Sequence, residues 1–206
     1  MIDVGTRVAM AFRAHSGWAV LVTLREPIAS PLVVQRRRLE IADRQTTGSV
    51  QPYHAAEKMK LREAEMFLRE RSESAGSLAR KAVEEAVAEL RAKGWSVAGC
   101  CVLAASGRTN VDLAKTLASH ALIHTAEGDF FRNALRSACA SCGLTVSSVK
   151  EKEVAKQSAT RLRMAVDELE RRAAEFGKSV GPPWRQDEKF CAMAAWSLLA
   201  SEPRQT

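Results

Sequence analysis

Two short segments place a histidine three residues before a glutamate. They are His54-Ala-Ala-Glu57 and His124-Thr-Ala-Glu127, and His120 lies a further four residues before His124. Residues three or four apart share one face of a helix, so each histidine and glutamate can act together as metal ligands or as an acid/base pair. Imidazole with carboxylate suits Zn²⁺, Mn²⁺ or Fe²⁺. His120, His124 and Glu127 are therefore candidate metal ligands.

The same residues also have a purely structural explanation. Thr125 can cap a helix, and Glu127 and Asp129 then favour its positively charged N-terminus. In the other segment, Pro52 and Tyr53 are typical of the first turn of a helix. Both explanations stay open on the sequence alone.

A basic stretch, Gln35-Arg-Arg-Arg38, lies in a β-favouring segment, and Arg13 lies just before the turn that contains His15. The formal net charge is +7 and the pI is about 9.4. Arginine clusters displace counterions from phosphates, so Arg13, Arg36, Arg37 and Arg38 are candidate nucleic-acid-binding residues. The partner would be nucleic acid or another polyanion. Arginines on an edge strand also discourage aggregation, and His15 can equally face a ligand or solvent.

The five cysteines are an odd number, which is not typical of a secreted disulfide framework. Cys139-Ala-Ser-Cys142 precedes Gly143 at a predicted helix end, where the helix dipole does not activate a thiol, so we expect core packing. No apolar run reaches the roughly 18 to 20 residues of a membrane span, and residues 1–8 lack the features of a signal peptide. We expect a cytoplasmic protein with no membrane partner.

The hydrophobic pattern predicts three leading strands, followed by helices that alternate with two more strands. The strands are expected over residues 7–12, 18–24, 32–41, 96–105 and 144–149. The helices are expected over residues 52–93 with a bend near Gly76, 112–122, 125–143, 151–174 and 185–200, with a linker over 177–183. The length and composition favour a single α/β domain over residues 1–206.

This element order resembles the ribonuclease H-like superfamily. Leu144-Thr-Val-Ser-Ser-Val-Lys-Glu-Lys is similar to the fifth strand and its exit in the Holliday-junction resolvase branch. Asp187-Glu-Lys-Phe-Cys-Ala-Met-Ala-Ala-Trp196 is similar to the acid-bearing terminal helix of that branch. The resemblance implies a five-stranded mixed sheet, a three-strand meander followed by two parallel strands, flanked by helices.

The resemblance also implies a set of carboxylates that this chain does not supply. Nucleases of the superfamily place one carboxylate on the first strand and others near the fourth strand and on the first or last helix, where they clamp two divalent metals. Here the first strand, residues 7–13, and the end of the fourth, residues 104–108, carry no acid. Only Glu57 and Asp187, or Glu188 beside it, correspond to family positions.

Three functions follow from these residues. The first is a catalytically divergent ribonuclease H-like protein that binds nucleic acid or a phosphate-bearing ligand. The second is a nuclease or hydrolase that uses Mg²⁺, Mn²⁺ or Zn²⁺, with Glu57, His124, Glu127 and Asp187 as catalytic residues. The third is a structural protein-interaction module, for which an exposed apolar face on the helix over residues 53–93 would be the sign.

Overall fold

The structure is a computed structural model that describes residues 5–105 and 112–201. Its strands are β1 (Arg7–His15), β2 (Trp18–Arg25), β3 (Leu32–Glu40), β4 (Ser96–Val102) and β5 (Val146–Ser147). Its helices are α1 (Pro52–Ala56), α2 (Leu61–Ala92), α3 (Leu113–Leu117), α4 (His120–Ser141), α5 (Val154–Leu162), α6 (Val166–Val180) and α7 (Gln186–Leu199).

The five strands form one mixed sheet in the order β3-β2-β1-β4-β5. β1 and β2 are antiparallel and join through a two-residue turn in which Gly17 has a φ of 82°. β2 and β3 are also antiparallel, whereas β4 is parallel to both β1 and β5. The expected meander followed by two parallel strands is confirmed. Because β1, β4 and β5 are parallel, their carboxyl ends meet at one edge of the sheet.

Alternation along β1 builds a hydrophobic core on each face of the sheet. Met10 and Phe12 are fully buried in the core that includes α2 and α4. Ala9 and Ala11 face the opposite core, which α7 fills with alanines and Trp196. Small side chains on β1 leave room for α7 to pack directly on the centre of the sheet.

The alternation also separates neighbouring cysteines. Cys100 belongs to the core with α2 and α4, and Cys101 belongs to the core with α7, as strand geometry predicts. All five cysteines are free thiols. Burial raises the pKa of Cys101 and of Cys191, which keeps both thiols protonated at neutral pH.

Several helix boundaries differ from the sequence prediction. Residues 52–93 form two helices, and α2 passes through Gly76 without a break. The predicted cap at Thr125 is wrong: α4 is continuous from His120, and the Thr125 hydroxyl donates to the carbonyl of Ala121 at 3.1 Å. Asp112 does cap α3, since its carboxylate accepts the Ala114 N–H at 2.9 Å.

The predicted helix over residues 151–174 is divided. A short 3-10 turn, Glu151–Glu153, leads into α5, which ends where Arg163 adopts a left-handed conformation with a φ of 54°. The following helix, α6, continues to Val180 through most of the predicted linker. A non-glycine residue with positive φ is uncommon, and nothing in the residue type of Arg163 signals it.

Helix α2 does not present a long apolar face to solvent. Its buried positions run from Ala64 to Leu90, and its exposed large hydrophobic residues among those described are Leu61 and Met66. No described helix is long and apolar enough to cross a membrane. The cytoplasmic location and the single-domain organisation stay predictions. Residues 106–108 of the fourth-strand exit lie outside the described residues.

We predict that Leu21→Ala lowers the free energy of unfolding by about 2–5 kcal/mol, because it opens a cavity in the core beneath β2. Leu32→Ala is the matched control: it makes the same change on β3, where the side chain is 48% exposed, and should cost about 0.5 kcal/mol or less. Urea unfolding measures both variants. Equal losses would contradict the packing described here.

Candidate functional site

Three segments bring polar side chains together at the carboxyl edge of the sheet. β1 ends at His15, and the Leu103 N–H beyond β4 donates to the Phe12 carbonyl at 2.9 Å. Beyond β5, the Glu151 N–H donates to the Ala104 carbonyl at 2.9 Å, which fixes Glu151 beside the end of β4. The first turn of α7 contributes Asp187. In open α/β sheets, ligands bind outside the carboxyl ends of the strands.

The side chains at this edge form what we call the arginine–carboxylate cluster: Arg13, His15, Glu151 and Asp187. The Arg13 guanidinium pairs through Nη2 with Glu151 Oε2 at 2.6 Å and through Nη1 with Asp187 Oδ1. His15 Nε2 lies 2.8 Å from Asp187 Oδ2. The Arg13, Glu151 and Asp187 side chains are only 21%, 26% and 20% exposed, so their pairing is partly shielded from water.

His15 completes the cluster as a neutral imidazole. Burial, with help from the positive charge of Arg13, lowers the pKa of His15 below its ordinary value. At neutral pH its Nε2–H therefore donates to Asp187. The His15 ring stacks on Trp18, with 4.1 Å between ring centroids and 11° between planes. The Arg38 guanidinium lies 3.7 Å from the centroid of the Trp18 ring.

This cluster does not fit the two-metal site of the superfamily's nucleases. A pair of divalent cations needs several hard oxygen ligands, and β1 offers none. The two carboxylates that do meet here already share a guanidinium. A divalent cation placed between them would stand beside the fixed positive charge of Arg13. Glu188 does not add a ligand, because it is buried and its Oε2 accepts the backbone N–H of Arg185 at 2.8 Å.

A groove of about 370 Å³ opens beside the cluster. It is lined by Trp18, Val20, Arg36, Arg37, Arg38, Pro183, Arg185, Asp187 and Glu188. We call it the arginine groove. It lies on the face of the sheet that α7 covers, because Val20 belongs to the core on that side.

The three consecutive arginines of β3 do not act as one basic face. The Arg36 Nη1 donates to the carbonyls of Gly181 at 3.1 Å and Pro183 at 2.6 Å, which anchors the α6–α7 connection. Arg37 pairs with Glu89 of α2, on the opposite side of the sheet. Arg38 pairs with Glu40 at 2.6 Å and keeps 47% of its side chain exposed. Because side chains alternate along a strand, Arg36 and Arg38 lie on the α7 side of the sheet and Arg37 lies on the α2 side.

The predicted metal ligands lie in a second place, near the start of α4. His54 of α1 meets His120 and His124 of α4, and one ligand atom from each lies within 4.8 Å of the others. We call these three residues the histidine cluster. His54 is partly buried, whereas His120 and His124 are exposed.

Glu127 lies one helical turn after His124 and is buried beneath the histidine cluster. It accepts the Tyr53 N–H at 2.9 Å and lies 3.3 Å from His54 Nδ1. Burial raises the pKa of Glu127, while the Tyr53 N–H and His54 stabilise its charged form and oppose the increase. Glu127 therefore connects α4 to the first turn of α1.

The structure brings together only part of the residue set that the sequence singled out. His120, His124 and Glu127 are neighbours, and His54 joins them instead of acting with Glu57, whose side chain is exposed at the end of α1. Asp187 and Arg13 belong to the other cluster. Sequence reasoning missed Glu151 as a site residue; its position directly after the fifth strand was the available signal.

Comparisons with known proteins agree with the fold. No family model matches the chain, and no curated protein matches it. A structure of Thermus thermophilus RuvC in complex with Holliday junction substrate is similar, with a TM-score of 0.54 and 10% identity over 93% of this chain and 91% of that one. A second RuvC structure from Thermus thermophilus has a TM-score of 0.53 and 11% identity over 92% of both chains. The ribonuclease H-like fold expected from the sequence is confirmed.

We predict that Arg13→Gln lowers the free energy of unfolding by about 1–3 kcal/mol, because it leaves the Glu151 and Asp187 carboxylates close together without their cation. Adding Asp187→Asn should recover part of the loss by removing one of the two charges. Chemical denaturation of the single and double variants measures this coupling.

The control for this prediction is Arg171→Gln. Arg171 forms an exposed pair with Glu175 at 2.9 Å within α6, and its loss should change stability by about 0.5 kcal/mol or less. If Arg13→Gln costs no more than this control, the guanidinium does not hold the cluster together.

Proposed function

We propose that this chain is a catalytically divergent ribonuclease H-like domain that binds nucleic acid through the arginine groove. The observation that carries the proposal is the position of the Arg13 guanidinium between Glu151 and Asp187. At the sheet edge where the superfamily's nucleases gather carboxylates around metals, this chain has a cation already paired with the carboxylates. This pairing makes the edge a poor site for a pair of Mg²⁺ ions, and we assign phosphate binding to the arginine groove beside it.

The charges around the arginine groove support phosphate binding. Its two acids are already engaged, because Asp187 pairs with Arg13 and His15, and Glu188 is buried against the start of α7. Arg185 keeps an exposed side chain, and Arg38, although it pairs with Glu40 at 2.6 Å, remains 47% exposed. A phosphate entering the groove therefore meets guanidinium groups rather than free carboxylates.

Nucleic acid is the phosphate-bearing partner that two further observations favour. The chain has a formal net charge of +7, and a net positive charge attracts a polymer of phosphates. One similar structure of the same fold is described as a complex with Holliday junction substrate. Trp18 does not act as a base-stacking platform in this arrangement, because His15 and Arg38 cover its two faces. Backbone contacts therefore dominate the proposed interaction.

The alternative, a metal-dependent nuclease or hydrolase, needs Glu57, His124, Glu127 and Asp187 in one place. Glu57 is exposed at the end of α1, and Asp187 is held by Arg13 and His15 at the sheet edge. The histidines and Glu127 lie together without them. The geometry therefore favours binding over hydrolysis, and the histidine cluster is a separate feature.

We predict salt-sensitive binding without cleavage. In fluorescence anisotropy with labelled duplex, junction and single-stranded DNA and matching RNA, log K should fall linearly with log salt concentration. For a duplex the slope is about −0.9 for each phosphate contacted. Adding Mg²⁺ or Mn²⁺ should produce no cleavage on a gel. Absence of binding at low salt contradicts the proposal, and cleavage by the wild-type chain in Mg²⁺ or Mn²⁺ contradicts the divergent site.

Variants with one arginine removed locate the binding surface. Arg38→Gln and Arg185→Gln should each weaken binding and reduce the magnitude of the salt slope by about 1. Arg80→Gln is the matched control, since Arg80 is an exposed arginine of α2 on the opposite side of the sheet. If Arg80→Gln weakens binding as much as Arg38→Gln does, the attraction is a general charge effect and the groove is not the site.

A further inference from the structure

The three imidazoles of the histidine cluster converge closely, although two of them are exposed to solvent. His120 and His124 lie one turn apart at the start of α4, and their Nε2 atoms are 3.0 Å apart. Their ring centroids lie 4.4 Å from each other, and those of His54 and His124 lie 4.7 Å apart. Three imidazoles from two separate helices thus point their nitrogens at one small region.

The separation of these nitrogens suits a shared metal ion. In tetrahedral coordination with metal–nitrogen bonds of about 2.0–2.1 Å, two ligand nitrogens are about 3.3 Å apart. The His120 and His124 Nε2 atoms are close to that separation, and one nitrogen of His54 lies within 4.8 Å of both ligand atoms. Small rotations of the exposed His120 and His124 rings would complete the geometry.

Glu127 supplies the support that metal-bound histidines usually have. Its Oε1 lies 3.3 Å from His54 Nδ1, so the His54 Nδ1–H can donate to it and leave Nε2 free as the ligand atom. Its Oε2 accepts the Tyr53 N–H at 2.9 Å, which fixes the carboxylate against α1. The carboxylate is 4% exposed, so it is held in one orientation beneath the ring.

We propose that His54, His120 and His124 bind a divalent transition metal of the zinc class, with Glu127 orienting His54. Imidazole nitrogens favour Zn²⁺ and its neighbours over Mg²⁺ or Ca²⁺, which take oxygen ligands. Three protein ligands leave a fourth position open to solvent beside the exposed histidines. Glu127 acts here as a positioning residue rather than as a metal ligand. The site is independent of the arginine groove, and it ties α1 to α4.

The experiment is a titration of the untagged full chain with Zn²⁺ by calorimetry, and with Co²⁺ followed by its visible absorption. We expect one equivalent of Zn²⁺ per chain, and Co²⁺ bands with the intensity of tetrahedral coordination. A wild-type chain that takes up neither ion overturns the proposal. Circular dichroism of each variant below shows whether it is folded before binding is compared.

The variants separate a built site from an incidental histidine pair. His124→Gln and His54→Gln should each weaken Zn²⁺ binding at least about tenfold, and Glu127→Gln should weaken it about 10–100-fold. His15→Gln is the matched control, because His15 is the one histidine of the chain's four that lies outside the histidine cluster, and it belongs to the arginine–carboxylate cluster. It should bind as the wild type does.

The His54→Gln result is the most discriminating. If this variant binds Zn²⁺ as tightly as the wild type, the ion is held only by the exposed pair on α4, and the three-histidine site is overturned. Equal weakening by His15→Gln also overturns it. The variants of the histidine cluster and of Glu127 should not change the salt dependence of nucleic-acid binding. Failure of the metal site and failure of the proposed function are therefore distinguishable.

Discussion

The Arg13 guanidinium holds together three segments that the sheet topology brings to one edge. It joins the last residues of β1 to Glu151 beyond β5 and to Asp187 at the start of α7. Parallel pairing of β1, β4 and β5 places these segments side by side, but it does not choose their charges. With an arginine on β1, two carboxylates that would repel each other become the partners of one cation. The arrangement closes the edge to a pair of metals and leaves the adjoining arginine groove positively charged.

Much of the fold could be predicted from the sequence because its signals are local. The turn at Gly17, the apolar run of β4 and the alanine-rich pattern of α7 each indicate their element directly. Boundaries that depend on tertiary contacts could not be predicted. The Thr125 hydroxyl satisfies a carbonyl inside α4 instead of capping it, and Gly76 stays helical within a helix that is packed along much of its length. The break between α5 and α6 depends on the left-handed backbone conformation of Arg163, which an arginine does not favour.

The two clusters differ in how far the sequence could predict them. His120, His124 and Glu127 share one face of one helix, so their spacing was sufficient to group them. His54 joins them through its contact with Glu127, which is 73 positions away in the chain. The spacing of His54 and Glu57 suggested a separate pair, but Glu57 is exposed. Arg13 and Glu151 are 138 positions apart, and no local pattern connects them. The division of Arg36, Arg37 and Arg38 follows from strand alternation, yet only the structure shows which partner each one has.

The most direct test of this account is a Mn²⁺ titration of isotope-labelled protein, with paramagnetic line broadening followed at each backbone amide. We predict that the amide signals of Glu151 and Asp187 stay sharp while Arg13 is present, because its guanidinium places a fixed positive charge between the two carboxylates, where a divalent ion would have to bind. Broadening near the histidine cluster is compatible with it. If the Glu151 and Asp187 signals are the first to broaden, a divalent metal binds at the sheet edge despite Arg13, and the central claim is contradicted.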